Sequence, residues 1–355
     1  MKGMKKIGVG KMKKINVYLQ YPWGFSDSQY YRSLTENSPN GVSYISKIKK
    51  NKIITNKSKL FIFTFIKQNL RELIEKTNLP IINAKITKTK KSYDLIHCAH
   101  CLSLNNSPWV VDFESLWQAW ISGRDTRLGR KKVLNLLISK NCKKIIVWTD
   151  TTKREFLKRF PILRNKITVL GYGQPMPKIK KIKHDGINLF FVSRFFNAKG
   201  GPEAIEVFDI LTKKYPNVNA TLISNVPKKV VSKYKNNNKI TIYPNLINHE
   251  ILMKEILPKM DILVYPGYSD SFGFIITEAM SFGIPVITVD GYGKRDIVRS
   301  GLDGFIVKKP KLMWKLKNAF SQIENTKKLM DNYPTDPLKI NEWRELRNKS
   351  LGMNY

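Results

Sequence analysis

Four charged residues carry the chemistry this sequence suggests. Glu278 and Asp270 belong to the run SDSFGFIITEAMSFGIPVITVD, residues 269–290. Glu278 stands among Phe274, Ile275, Ala279 and Phe282, and a carboxylate in such company needs a charged or hydroxyl-rich partner. The stretch 273–282 suits a helix, with Asp270 or Ser271 expected at its N-cap and Gly283 and Pro285 ending it. Eight residues apart, the two acids would stand ~12 Å apart along a helix axis. That is too far for one acid–base pair but suited to gripping two ends of an extended ligand. The amides of Phe272, Gly273 and Phe274 offer an anion site, and Gly273 admits close approach. Taken alone, the segment fits equally an N-cap and a core-paired acid.

Arg194 and Lys199 lie in SRFFNAKGGPEAIEVF, residues 193–208. A strand ends near Arg194, and Gly200, Gly201 and Pro202 open a helix. Two cations beside a glycine-rich helix start suit a diphosphate. The terminal Lys-Ser/Thr of a Walker loop is missing, so this is another kind of phosphate site, or an ordinary basic turn.

Further candidates are less specific. WVVDFESLWQAW, residues 109–120, places Asp112 and Glu114 after a buried strand, where alternate residues share a face. Glu114 suits acceptor binding or charge stabilisation, or else a helix cap with Trp117 and Trp120 in the core. The loop 21–34, YPWGFSDSQYYRSL, offers aromatics with Asp27 and Ser28, either beside a sugar or packed over a sheet. HCAHC, residues 97–101, has a single CxxC. Strand alternation splits its four candidate ligands, so no metal is assigned, and His100 is the better cleft residue. The basic segments 127–132 and 152–160 fit either docking on an anionic membrane or solvated helix faces.

The elements that must position these residues alternate strand and helix, which predicts parallel sheets. In the first half, strands are expected at 14–19, 59–65, 93–99, 108–113, 143–148 and 166–170, with helices at 67–77, 127–140 and 151–159. In the second, strands are expected at 187–194, 219–224, 239–244, 261–266, 285–289 and 304–307. Helices there are expected near 201–214, 227–235, 249–257, 273–282 and 293–300. The division is a loose basic tail at 1–11, a first Rossmann-like domain at 12–170, a linker at 171–186 and a second such domain at 187–330. A helical segment at 331–355 is expected to return toward the first domain. Met12 is an alternative start.

Together the two charged constellations resemble the family-4, group 1 glycosyltransferases, retaining enzymes of the GT-B fold. The resemblance rests on Arg194, Lys199 and Gly200, then Pro266, Asp270, Phe272-Gly273, Glu278 and Gly283-Ile284-Pro285-Val286. SGLDGFIV, residues 300–307, adds to it. It covers about 187–307 and is thin before that. It implies two doubly wound Rossmann-like domains facing each other across a cleft. It also implies that Glu278 accepts from the ribose hydroxyls of a nucleotide-diphosphate sugar, and that Arg194 and Lys199 neutralise the diphosphate with the 272–274 amides. Asp270 would meet donor-sugar hydroxyls, at a place where the family usually has Glu. Leu246, in YPNLINHE at 243–250, would lie in the loop that selects the base. Glu114 would stand where many relatives carry a His. A metal is not expected, because no DxD-type cluster occurs, and the donor is a substrate rather than a cofactor.

Composition sets the outer limits. The chain has 355 residues and a net charge of +36. The first 170 residues carry 34 of the 63 Lys and Arg but only 10 of the 27 Asp and Glu. Such a field attracts polyanions, although an AT-rich coding bias produces the same excess. The cations are dispersed and no nucleic-acid motif occurs, so nucleic acid is not the expected partner. A glycan or lipid-linked acceptor, with an anionic membrane surface, is. Three cysteines exclude a disulfide framework and fit the cytoplasm, with the inner membrane face as a peripheral location. The longest apolar run, residues 60–66, is too short to span a bilayer. Two other classes stand beside transfer: another GT-B activity, such as nucleotide-sugar epimerisation or glucan synthesis, and a non-enzymatic basic polyanion-binding protein.

Overall fold

The computed structural model describes residues 14–22, 29–45, 74, 77–197, 199–267 and 270–308. The expected strand 59–65, most of helix 67–77, the tail 1–11, the segment 331–355 and the residues Trp23, Asp27 and Ser28 lie outside them. The chain divides into two compact units after Gly173.

The first unit is built on a six-stranded parallel sheet. Its strands are β1 (Ile15–Gln20), β2 (Val42–Tyr44), β4 (Leu95–Ala99), β6 (Trp109–Phe113), β7 (Cys142–Val147) and β8 (Ile167–Val169), in the order β2-β1-β4-β6-β7-β8. Two short strands, β3 (Ala84–Lys85) and β5 (Leu102–Ser103), pair apart from it. Ile96, Val111, Phe113, Ile145 and Val147 are fully buried, because helices cover a parallel sheet and its strands read as near-continuous apolar runs. Helix Arg127–Ile138 starts at Thr126, whose hydroxyl accepts from the Gly129 amide. Helix Asp150–Arg159 starts likewise at Thr149, and packs Phe156 on Phe113. The 21–34 stretch, expected as a loop, is helical over Gln29–Glu36, where Tyr30 and Tyr31 form a buried face.

The second unit has strands β9 (Ile187–Ser193), β10 (Val218–Ser224), β11 (Ile240–Tyr243), β12 (Ile262–Tyr265), β13 (Val286–Val289) and β14 (Gly304–Val307). They are parallel, in the order β11-β10-β9-β12-β13-β14. The chain winds outward one way from β9 through β11, then returns to start again at β12. The β9/β12 pair is therefore the topological switch point, and the C-terminal strand ends there are where open α/β sheets receive ligands. Phe190 and Phe191 are fully buried on opposite faces of β9 and anchor the sheet.

Two expectations need correction here. The stretch 249–257 is not one α-helix. It winds as α over His249–Ile251, π over Leu252–Ile256 and 3-10 over Leu257–Lys259, the last holding Pro258. The helix expected at 293–300 is a single turn, Lys294–Ile297. Residues 171–186 form neither helix nor strand, yet both ends are tied down. Tyr172 packs edge-on against Tyr30 in the first unit, and Lys181 and His184 meet Asp261 in the second at 2.9 and 3.2 Å.

Candidate active site

The loop that leaves β9 is compact because its backbone closes on itself. The Lys199 amide donates to the Phe195 carbonyl at 3.1 Å, and the Gly201 amide to the Phe196 carbonyl at 2.7 Å. Gly200 caps helix Gly201–Lys214 with φ +80°, a conformation that L side chains rarely adopt. A Cβ there would stand 2.7 Å from Cβ of Pro266, the residue that follows β12. Only a glycine lets the β9 and β12 loops meet this closely.

Across that contact Lys199 and Asp270 form an ion pair, Nζ to Oδ1, at 3.2 Å. The Tyr265 hydroxyl donates to the other oxygen of Asp270 at 2.5 Å. The cation of one sequence constellation thus lies against the acid of the other. Arg194 is exposed at the mouth of the same loop.

The helix that follows runs over Phe274–Ser281 and is capped by Gly273, at φ +82°. This corrects the expected cap at Asp270 or Ser271. A backbone turn through the left-handed region replaces a side-chain cap, and a Cβ on Gly273 would meet Ile276 Cδ1 at 3.1 Å and Asp270 Oδ2 at 3.3 Å. Phe272 is buried and its ring packs on that of Phe274. Glu278, in the second turn, is 5% exposed. Its Oε1 lies 2.9 Å from Nε2 of His249, which arrives on the connection from β11. Leu246, earlier on that connection, is 40% exposed. Lys294, fully buried after β13, donates to the Gly267 carbonyl and braces the β12 loop from the other side.

The structure therefore brings Lys199, Asp270 and the Gly273 helix start together, and sets Glu278 one turn further on. His249, Tyr265 and Lys294 were not singled out from the sequence. His249 had a signal, as one of four histidines in the chain and at a helix start, directly after Asn248. Tyr265 and Lys294 had none, because sheet order alone brings β12 and β13 side by side.

In the first unit Asp112, 1% exposed, is the centre of a buried cluster. Tyr30 donates to its Oδ2, as does Trp148 Nε1 at 3.1 Å. Oδ1 receives the His100 amide at 3.3 Å and lies 3.5 Å from His97 Nε2. Burial alone would raise the Asp112 carboxyl. The imidazoles of His100 and His97 and the Tyr30 hydroxyl outweigh it and hold the acid below the ordinary Asp value. Burial pushes the His100 imidazole down, against the pull of Asp112. His100 itself sits at φ +60° just past β4, and that turn carries it to the same acid as His97. Cys98 and Cys101 instead both face the Gln20 amide nitrogen. Among the described residues no group of three or more His, Cys, Asp or Glu is placed to hold a metal. Glu114 lies one residue past β6 and is half-buried. Its amide donates to Gln118 Oε1 at 2.9 Å, and its carbonyl accepts from Thr152.

Residues 174–334 match the sequence model of the family described as "Glycosyl transferases group 1". The chain is 29% identical over 182 residues to the capsular polysaccharide biosynthesis glycosyltransferase CapM of Staphylococcus aureus, covering 46% of this chain and 48% of that protein. It is 23% identical over 216 residues to an uncharacterized glycosyltransferase of Haemophilus influenzae, covering 60% and 58%. The chain thus spans about half the length of the curated relatives it matches. Among solved structures, a glycosyltransferase from Rickettsia africae ESF-5 superimposes with a TM-score of 0.52 at 14% identity, over 96% of this chain and 100% of that one. The fold class is GT-B: two doubly wound Rossmann-like units in one chain.

Proposed function

We propose that this chain is a retaining glycosyltransferase that moves a sugar from a nucleotide-diphosphate sugar to a glycan, lipid-linked or small acceptor. One observation carries the reading. Lys199, Asp270 and the Gly273 helix start converge at the switch point of a sheet that lies inside the segment matching the group 1 sequence model.

In this scheme Glu278 accepts from the ribose hydroxyls. Arg194 and Lys199 face the diphosphate, together with amides of Phe272, Gly273 and Phe274, and Asp270 faces the sugar. Leu246 borders the base. Without ligand, Lys199 and Asp270 neutralise one another. Donor binding exchanges that pair for two better-matched contacts, phosphate on the lysine and sugar hydroxyl on the acid. The bond from the anomeric carbon to phosphate oxygen breaks while the acceptor oxygen bonds to that carbon on the same face. The departing phosphate takes the acceptor proton. Negative charge grows on the leaving diphosphate, and preorganised cations and amides stabilise it there. No protein nucleophile is needed, so a paired-carboxylate geometry is not required. Cationic side chains fill the place of a metal in this scheme. Glu114 is assigned to the acceptor side. The cation excess of the first half suits an acceptor held at an anionic membrane surface on its cytoplasmic face.

The test is a thermal-shift screen of nucleoside diphosphates and nucleotide sugars, since a ligand bound only by the native state raises its stability. Release of nucleoside diphosphate is then measured with acceptor present, in wild type and in Glu278→Ala. A donor that stabilises the wild type and is turned over only with Glu278 intact supports the scheme. Unchanged turnover in the variant overturns the site assignment.

A further inference from the structure

Glu278 is set into an apolar helix beside Ile275, Ile276 and Ala279, all buried. A carboxylate so placed is costly unless its oxygens are bonded. Among the described residues one side chain bonds it, His249, at 2.9 Å from Oε1. An ionised carboxylate only accepts, so the Nε2 of His249 carries the hydrogen. The imidazole is 38% exposed and the carboxylate side chain 6%. His249 therefore stands on the solvent side of the acid and fixes one of its two oxygens.

The chain holds His249 firmly in that place. Asn248 caps the first turn, its side chain accepting from the Glu250 amide at 2.8 Å. Behind it, Leu252, Leu257 and Pro258 are buried in the core of the unit. The intervening π turn, Leu252–Ile256, is a form of winding that recurs at functional sites, because it re-aims the residues on either side of it.

We propose that His249 is a positioning residue for the nucleotide. By holding Oε1 it turns the other oxygen of Glu278 toward the ribose hydroxyls, so that selection of ribose over deoxyribose depends on His249. The inference rests on the reading of Glu278 as the ribose-binding acid. Without His249 the carboxylate rotates freely about its last bond, and neither oxygen is held where a hydroxyl can meet it in line. The diphosphate contacts through Arg194 and Lys199 are untouched. Overall binding should therefore survive while the preference for ribose is lost.

The experiment is calorimetric titration of UDP, GDP and ADP and their 2′-deoxy counterparts. The proteins are wild type, His249→Phe, His249→Gln and Glu278→Gln, each checked for folding by its unliganded melting temperature. A hydrogen bond to a charged group is worth roughly tenfold or more in affinity. The wild type should prefer the ribo form of its nucleotide by at least that factor. His249→Phe should bring the ratio near one, and so should Glu278→Gln. His249→Gln, whose amide nitrogen reaches about as far as Nε2, should recover most of the preference, which a purely packing role would not produce. If His249→Phe does not fold, His249→Asn takes its place, since its amide is too short to reach Glu278. A ratio unchanged in His249→Phe or His249→Asn, but lost in Glu278→Gln, overturns this inference and leaves the assignment of Glu278 standing. A ratio unchanged in Glu278→Gln, or absent from the wild type, overturns both.

Discussion

Two buried acids, one in each unit, sit near the C-terminal edge of their own sheets and meet opposite fates. Both oxygens of Asp112 are bonded by buried donors. Tyr30 and Trp148 donate to one oxygen, and the other receives the His100 amide, with the His97 imidazole 3.5 Å away. These partners come from three separate parts of the chain: the helix at 29–36, the β4 end and the β7 end. Glu278 is nearly as buried, yet one half-exposed imidazole is its partner among the described residues. A carboxylate with both oxygens bonded by buried donors serves the architecture of its unit. A carboxylate held by a single imidazole keeps acceptor capacity in reserve, and that reserve is what a ligand uses.

The contrast can be broken by experiment. Asp112→Ala should have the largest effect on stability. It strands several buried donors at once and should cost the first unit about 3–5 kcal/mol, read as an earlier first transition in urea. Glu278→Gln should leave that transition in place and lower nucleotide affinity instead. If Glu278→Gln destabilises as much as Asp112→Ala, the distinction fails. Lys199→Ala comes next. It should lower the rate of transfer by about 100-fold, the scale of losing one preorganised charge stabiliser, with little change in melting temperature.

Acid should act on the first unit. The His100 imidazole is depressed in the fold, so the unfolded chain takes up a proton from about pH 6.5 downward while the native state resists it. The Asp112 carboxyl is depressed too, so its stabilisation is present above about pH 4 and is lost as pH falls through its folded value. Denaturation midpoints of the first unit should therefore fall from about pH 6.5 to 5, less steeply in His100→Phe. Gly273→Ala should have the smallest effect. A side chain at positive φ costs roughly 1 kcal/mol. Its sharper effect should be on donor KM, because the shifted cap moves the amides at the helix start.

Much of the second unit was legible in the sequence. Arg194, Lys199 and Asp270 lie on single strand-to-helix connections and Glu278 in the helix that follows one, so local pattern places each of them after a strand end. What local pattern cannot carry is which strands become neighbours. Lys199 reaches Asp270, and Lys294 reaches Gly267, only because β9 and β13 flank β12. His249, on the connection from β11, reaches Glu278 after β12 although β10 and β9 stand between those two strands. The cap at Gly273 was misread because Asp and Ser are the common caps, while the glycine has its own route through the left-handed region. In the first unit the expected splitting of HCAHC by strand alternation assumed a continuing strand. The turn at His100 ends it and gathers both imidazoles on Asp112 instead.

The contact between Gly200 and Pro266 limits how this protein can be re-engineered. Two loops that meet with no room for a methyl group behave as a single cassette. Exchanging the segment after β12 to change sugar preference, for instance by bringing in Glu for Asp270 with its neighbours, would fail if the incoming loop carried bulk at 266. The segment 194–201 would have to be transplanted with it. Libraries that vary the two loops together should yield folded variants more often than libraries that vary either one alone.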